Sequence, residues 1–163
     1  MDKLPNYKSR KFLLVDDESF MLGLIDRVLK QCQAGRILRA ANGGRALELF
    51  QDKAMQVDCI IADLNMKPMN GLELLQAIRA GIRRNIPRDQ CFIMLTGNAE
   101  SDAVKAAIKL DVHGYILKPI STEKLVSTIE LAFERPIALQ DAAHYRAVKL
   151  PEVQNETENN RGD

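Results

Sequence analysis

Val57-Asp58-Cys59-Ile60-Ile61-Ala62-Asp63 is the stretch on which the fold turns. Residues 57–62 are apolar enough for a strand covered on both faces, and the run stops on a carboxylate. Three further runs end in the same way. Phe12-Leu13-Leu14-Val15 stops on Asp16-Asp17-Glu18, Cys91-Phe92-Ile93-Met94-Leu95 on Thr96, and Tyr115-Ile116-Leu117 on Lys118-Pro119. Buried strands that each finish on a polar residue place one site along one edge of a parallel sheet. Ligands of open α/β sheets bind there, beyond the carboxyl ends of the strands.

Helical periodicity fills the gaps between these runs. Met21, Ile25, Val28, Leu29 and Cys32 recur at helical spacing after the first run, with Phe20 and Leu24 widening the stripe. Residues 36–40 read as a weaker strand, and Asn42-Gly43-Gly44 turns the chain into a helix carrying Ala46, Leu47 and Phe50. Gly71 leads into a helix with Leu72, Leu75 and Ile78 on one face, and Val104, Ala107 and Ile108 mark the next. A last helix over residues 122–135 carries Leu125, Ile129, Ala132 and Phe133 and stops before Pro136. The strands fall at 11–15, 36–40, 57–62, 91–95 and 114–117. Helical crossovers of this length require parallel strands and right-handed connections. The expected fold class is therefore α/β, a doubly wound five-stranded parallel sheet flanked by five helices.

Composition narrows the function. The 163 residues carry a formal net charge of +1 and no tryptophan, so neither a nucleic-acid nor a base-stacking surface is indicated. Cys32, Cys59 and Cys91 lack metal-ligand spacing and read as reduced thiols, which fits a cytoplasmic protein. No apolar run approaches membrane-spanning length. Residues 1–9 read as an N-terminal lead and 10–135 as the domain. Residues 136–163, with five acidic and three basic residues, read as a C-terminal extension with no output domain. Within it, Leu139, Tyr145, Val148 and Leu150 suffice to dock residues 138–150 on a surface, while the stretch from Glu152 has the composition of a disordered tail.

The chemistry lies in the strand ends. Two unit charges about 4 Å apart repel by roughly 4 kcal/mol at an effective dielectric near 20, so Asp16, Asp17 and Asp63 converging on one point need a cation or shared protons. Taken singly, each acid is as well explained as a helix cap, and Asp17 suits that role. Taken together, all-oxygen ligands suit Mg²⁺, which uses few carboxylates and leaves room for a phosphate. Lys118 supplies a point charge at the fifth strand end, its bond to Pro119 is a candidate cis bond, and Thr96 supplies a hydroxyl. Glycine-rich phosphate loops and serine nucleophile elbows are absent, and His113 and His144 lie outside the constellation. What remains is a carboxylate nucleophile, forming an acyl phosphate on Asp63.

With Asp16-Asp17, Asp63, Thr96, Tyr115 and Lys118-Pro119 in this order, the chain resembles a response regulator receiver domain of two-component signalling. The single-domain form similar to chemotaxis regulators fits best, over residues 10–135. The resemblance implies a flavodoxin-like strand order 2-1-3-4-5. It also implies Mg²⁺ held by Asp17, Asp63 and the backbone carbonyl of Asn65, with Asp16 nearby. Asp63 is then the phosphoacceptor, served by Lys118 and Thr96, and Thr96 and Tyr115 form the switch. The implied partners are a sensor histidine kinase or histidine phosphotransfer protein as donor, and a downstream protein reached through the helix 4–strand 5–helix 5 face. Asn65 and Asn98 occupy positions that tune the lifetime of the phosphoryl group. Nucleic acid and membrane insertion are not implied. Such a domain is a self-phosphorylating and self-dephosphorylating switch rather than a turnover enzyme.

Two positions depart from the family pattern: Lys67 precedes Pro68 where proline usually follows the methionine directly, and Ile120 replaces a common aromatic. Two other readings compete. A Mg²⁺-dependent aspartyl-phosphate phosphatase needs a D-x-D motif and a cap, against Asp16-Asp17-Glu18 and no long insertion here. A pseudo-receiver scaffold would not need the intact acid set. Arg79, Arg83, Arg84 and Arg88 read as a solvated basic rim at the opposite edge, and His113 as structural.

Overall fold

A computed structural model describes residues 3–97 and 101–153, Ser101 in its backbone only. Its strands are β1 (Lys11–Val15), β2 (Arg36–Ala40), β3 (Cys59–Asp63), β4 (Phe92–Thr96) and β5 (Gly114–Leu117). They alternate with α1 (Ser19–Gln31), α2 (Gly43–Leu49), α3 (Gly71–Arg79), α4 (Ser101–Lys109) and α5 (Thr122–Glu134), and α6 (Ala142–Arg146) follows. All pairings are parallel, and the sheet order is β2-β1-β3-β4-β5. The doubly wound architecture is as expected, with a sixth helix from the extension. The third strand starts two residues late and includes Asp63, and the fourth likewise extends to Thr96.

Both sheet faces are covered, which explains strands without polar alternation. One core joins Leu13, Ile60, Phe92 and Met94 to the inner faces of α2, α3 and α4, through Leu47, Leu72, Leu75 and Ala107. The other joins Phe12, Leu14, Ile61 and Ile93 to α1 and α5, through Ile25, Leu29, Leu125 and Ile129. Two side chains assigned to these faces turn outward. Phe20 is 76% exposed and Ile108 62% exposed. Ile108 lies about 100° around α4 from the buried Ala107, and Phe20 stands in the first turn of α1, ahead of Ile25 where the buried stripe begins. The stretch before β1 also joins the core: Tyr7 is buried, packs edgewise on Phe133, and its hydroxyl donates to Glu130 Oε1 at 2.6 Å.

Caps set the helix starts. The Asn42 and Ser121 side chains accept from the backbone N–H groups of Arg45 and Lys124, respectively. Asn70 and Glu73 form a reciprocal capping box at the start of α3. The pattern Asn70-Gly71-Leu72-Glu73 carries that signal in the sequence, and the cap lies at Asn70, one residue before Gly71.

The basic rim is the main correction. Arg79 is fully buried. Its Nε donates to the Leu110 carbonyl at 3.0 Å. One terminal nitrogen donates to the carbonyls of Arg88 and Gln90, at 2.7 and 3.0 Å, and the other to that of Asp111 at 2.8 Å. A planar fork of five donors suits four carbonyls left over from the end of α4 and the α3–β4 connection. Arg88 returns the contact, its Nε donating to the Arg79 carbonyl at 2.7 Å. Arg84 alone of the four is exposed, while Arg83 and Arg88 are half-buried. His113 is structural, as expected. Its Nδ1 accepts from the Phe92 N–H at 3.1 Å, which puts the ring proton on Nε2. Burial and the Arg79 charge hold its pKa down to about 4.

Replacing Arg79 with methionine keeps much of the volume and strips four carbonyls of their donor. Urea unfolding is expected to show a loss on the order of 3 kcal/mol. A loss below about 1 kcal/mol would mean that these carbonyls find other donors.

Candidate functional site

Register assembles the carboxyl edge of the sheet. Val15 pairs with Ala62, so Asp16 and Asp63, each one residue on, lie side by side. Asp63 pairs with Leu95, which sets Thr96 one step beyond it. Thr96 pairs with Leu117, and Lys118 follows. The Lys118 N–H donates to the Thr96 carbonyl at 2.7 Å, continuing the ladder past the strand. The bonds Lys67–Pro68 and Lys118–Pro119 are both cis.

Turn chemistry refines the positions. Asp16 N–H donates to the Ala40 carbonyl at 3.1 Å, and Asp16 Oδ1 accepts from the Glu18 N–H at 2.9 Å. This turn, not a cap by Asp17, launches α1; Glu18 is the N-cap residue and makes no side-chain cap bond. Asp17 is left exposed at the mouth. Gly71 is required by close approach. A Cβ there would lie 2.5 Å from the Asp63 carbonyl oxygen and 2.6 Å from Met94 Sδ.

Asp16, Asp63 and Thr96 are buried, and one oxygen from each of Asp16, Asp17 and Asp63 lies within 4.8 Å of the others. Lys118 Nζ stands 3.0 Å from Asp63 Oδ1. That contact is an ion pair rather than a well-directed hydrogen bond, and Asp63 Oδ1, Asp16 Oδ2 and Asn65 Oδ1 are all buried without a hydrogen-bond partner. Three carboxylates against one ammonium leave excess negative charge. Burial pushes the Asp16 pKa up to about 7, with Asp63 adding to the rise while the Glu18 N–H and Lys118 oppose it. Burial likewise pushes Asp63 up to about 6, against the pull of Lys118 and with help from Asp17 and Glu18. Burial alone would lower Lys118, but Asp63, Asp16 and Glu18 outweigh it and its pKa is raised. Orphaned buried oxygens and a purely oxygen donor set fit a hard divalent cation such as Mg²⁺.

The predicted site residues Asp16, Asp17, Asp63, Asn65, Thr96 and Lys118 thus meet at one edge. Tyr115 sits one layer behind, half-buried, its hydroxyl hydrogen-bonded to Thr96. Asn98 lies outside the described residues. Glu18 was not singled out by sequence, although its charge bears on all three perturbed groups.

A 2-1-3-4-5 parallel sheet with an acidic hollow and a lysine on its carboxyl edge defines a class, the flavodoxin-like domains of receiver type. Residues 12–130 match the response regulator receiver domain, and the chain belongs to that family. It is 33% identical over 126 residues to the chemotaxis protein CheY of Pseudomonas aeruginosa, covering 77% of this chain and 97% of that one. CheY-3 of Vibrio cholerae is 31% identical over 129 residues, covering 78% and 95%. Among solved structures, CheY4 of Vibrio cholerae superposes with a TM-score of 0.66 at 26% identity, covering 74% of this chain and 96% of that one. A receiver domain from Clostridium thermocellum gives 0.66 at 27% identity, covering 77% and 94%. The chain is a receiver domain of the chemotaxis-regulator type, which places it in two-component signalling.

The raised carboxyl pKa values have a stability consequence. In the metal-free fold Asp16 and Asp63 hold protons more tightly than in the unfolded chain, whose aspartates titrate near 3.8. Their contribution is therefore full below about pH 4 and is lost as pH rises through about 6 to 7. Asp16→Asn removes most of that loss. In a chelator at pH 8 the variant is expected to be more stable than wild type by up to about 4 kcal/mol, at about 1.4 kcal/mol per unit of pKa shift. The gap should close toward pH 4. Thermal melts across pH check this, and a gap independent of pH would contradict it.

Proposed function

We propose that this domain is a phosphorylation-controlled switch that accepts a phosphoryl group on Asp63. The observation that carries the reading is the buried Asp63 carboxylate, ion-paired at 3.0 Å with Lys118 and grouped with Asp16 and Asp17. The proposed donor is a phosphohistidine on a sensor kinase or phosphotransfer protein. An Asp63 oxygen attacks phosphorus, the N–P bond breaks, and the imidazole leaves with the electron pair. Water later attacks the acyl phosphate, releasing inorganic phosphate and restoring Asp63. Asp17, Asp63 and the Asn65 carbonyl, with Asp16 alongside, would hold Mg²⁺, which when bound neutralises charge on the phosphoryl oxygens. Lys118 supplies a fixed positive charge to the same oxygens, and catalysis rests on positioning and electrostatics. Asn65 and Asn98 are the residues proposed to set the lifetime of the acyl phosphate. The protein is a switch whose own acyl phosphate turns over, not an enzyme acting on a separate substrate.

Output follows from Thr96 and Tyr115. A phosphoryl group beside Thr96 draws its hydroxyl, changes the bond to Tyr115, and reshapes the surface of α4, β5 and α5. Moving such an equilibrium from 1:99 to 99:1 takes about 5.5 kcal/mol, which a doubly charged group met by lysine, hydroxyl and metal can supply. That surface displays Ile108, Leu117 and Leu131, apolar side chains suited to a protein target. Among the described residues no helix is long and apolar enough to cross a membrane, in keeping with a proposed cytoplasmic setting.

Incubation with a small acyl-phosphate donor and Mg²⁺ should add one phosphoryl group to the wild type and none to Asp63→Asn, by intact mass. Equal labelling of the two would sink the reading. Lys118→Ala should keep Mg²⁺ affinity within about threefold while labelling at least tenfold more slowly, since the lysine acts on the phosphoryl oxygens rather than the metal. Calorimetric loss of Mg²⁺ binding in that variant would refute this division of roles.

A further inference from the structure

Outside the acidic edge, a polar assembly that the proposed chemistry leaves unused lies where the extension meets the domain. Tyr145 of α6 is fully buried. Its hydroxyl donates to Asp111 Oδ2 at 2.7 Å and accepts from the Gln140 N–H at 3.0 Å. Gln76 of α3 donates from one amide nitrogen to the carbonyls of Tyr145 and Val148, both at 2.9 Å. Arg88 donates to the Gln140 carbonyl at 2.6 Å, and its guanidinium lies over the Tyr145 ring. Besides Arg88 in the α3–β4 connection, these bonds go to two places. One is α3, which starts directly after the loop that follows Asp63. The other is the turn between α4 and β5, where Asp111 holds a left-handed backbone with φ of 53°. The Asp111 carbonyl also takes a bond from Arg79, which reaches His113, two residues before Tyr115.

A strap that only covered apolar surface would not need a buried hydroxyl bonded to Asp111 in the α4–β5 turn, nor Gln76 and Arg88 donating to its carbonyls. Directed bonds are sensitive to small displacements in a way that apolar contact is not. We infer that residues 140–153 form a latch, closed over α3 and the α4–β5 turn while Asp63 is unmodified and released when Asp63 is phosphorylated. The inference rests on the switch reading above and adds a second output to it, on the face opposite to α5. Movement of α4 and β5 carries Asp111 away from Tyr145 and breaks the fit. Linkage makes the effect reciprocal: whatever loosens the latch favours phosphorylation to the same degree.

Hydrogen exchange of residues 140–153 in the full chain, with and without acyl-phosphate donor and Mg²⁺, tests this. Exchange there should quicken about fivefold or more on modification. Tyr145→Phe should quicken it without modification and raise the fraction of Asp63 labelled at limiting donor. Should that variant not fold, Gln76→Ala, which removes the donor to two latch carbonyls, serves the same test. Labelled Asp63 with unchanged or slower exchange over 140–153 overturns the latch and leaves the switch standing. No labelling of wild type overturns both.

Discussion

Negative charge held below the surface by neighbouring strands is the constraint on which this molecule depends. Asp16 and Asp63 are each almost wholly shielded from solvent, yet they sit beside one another with a single lysine as counterweight. The fold tolerates them because the sheet around them is fixed by two covered faces. Burial resists their ionisation, and any cation that enters gains what the solvent has been denied. A site of this kind stores a preference for positive charge before any ligand arrives. The phosphoryl group proposed for Asp63 would need partners that offset its charge.

Strand register does the placing. The functional side chains come from the carboxyl ends of four strands, β1, β3, β4 and β5, and a slip by one residue in any of them would turn its side chains to the other face of the sheet. Leu13, Ile60 and Phe92 on one face and Phe12, Ile61 and Ile93 on the other fix that register by packing. The core is therefore also what aligns the chemistry, and the two cannot be altered independently near the strand ends.

Most of this was legible in the residues. Apolar runs that stop on Asp16, Asp63, Thr96 and Lys118 report both the buried strands and the edge where they meet, because burial and function use opposite residue types. The misreadings share one cause. Arg79, Phe20 and Ile108 were judged by residue type and approximate helical phase, and their burial is decided by partners distant in sequence. A carbonyl cage built from Leu110, Arg88, Gln90 and Asp111 can bury a guanidinium, and nothing local announces it. Tyr7 is likewise a core residue supplied from outside the βα repeat, whereas Tyr145 is one of the residues by which the extension is expected to dock. Periodicity is blind to an isolated aromatic such as Tyr7. The capping box at Asn70 was a local signal and could have been taken.

The glycine at position 71 has a mechanical meaning. With a hydrogen where other residues carry carbon, the first turn of α3 rests directly on the main chain of Asp63 and on Met94. There is no compressible layer between the helix and the residue that precedes it by one loop. The end of β3 and the start of α3 consequently behave as a single stiff joint. On the proposed switch reading, a displacement at the acidic edge is not absorbed at this joint and passes to the other strand ends, those of β4 and β5.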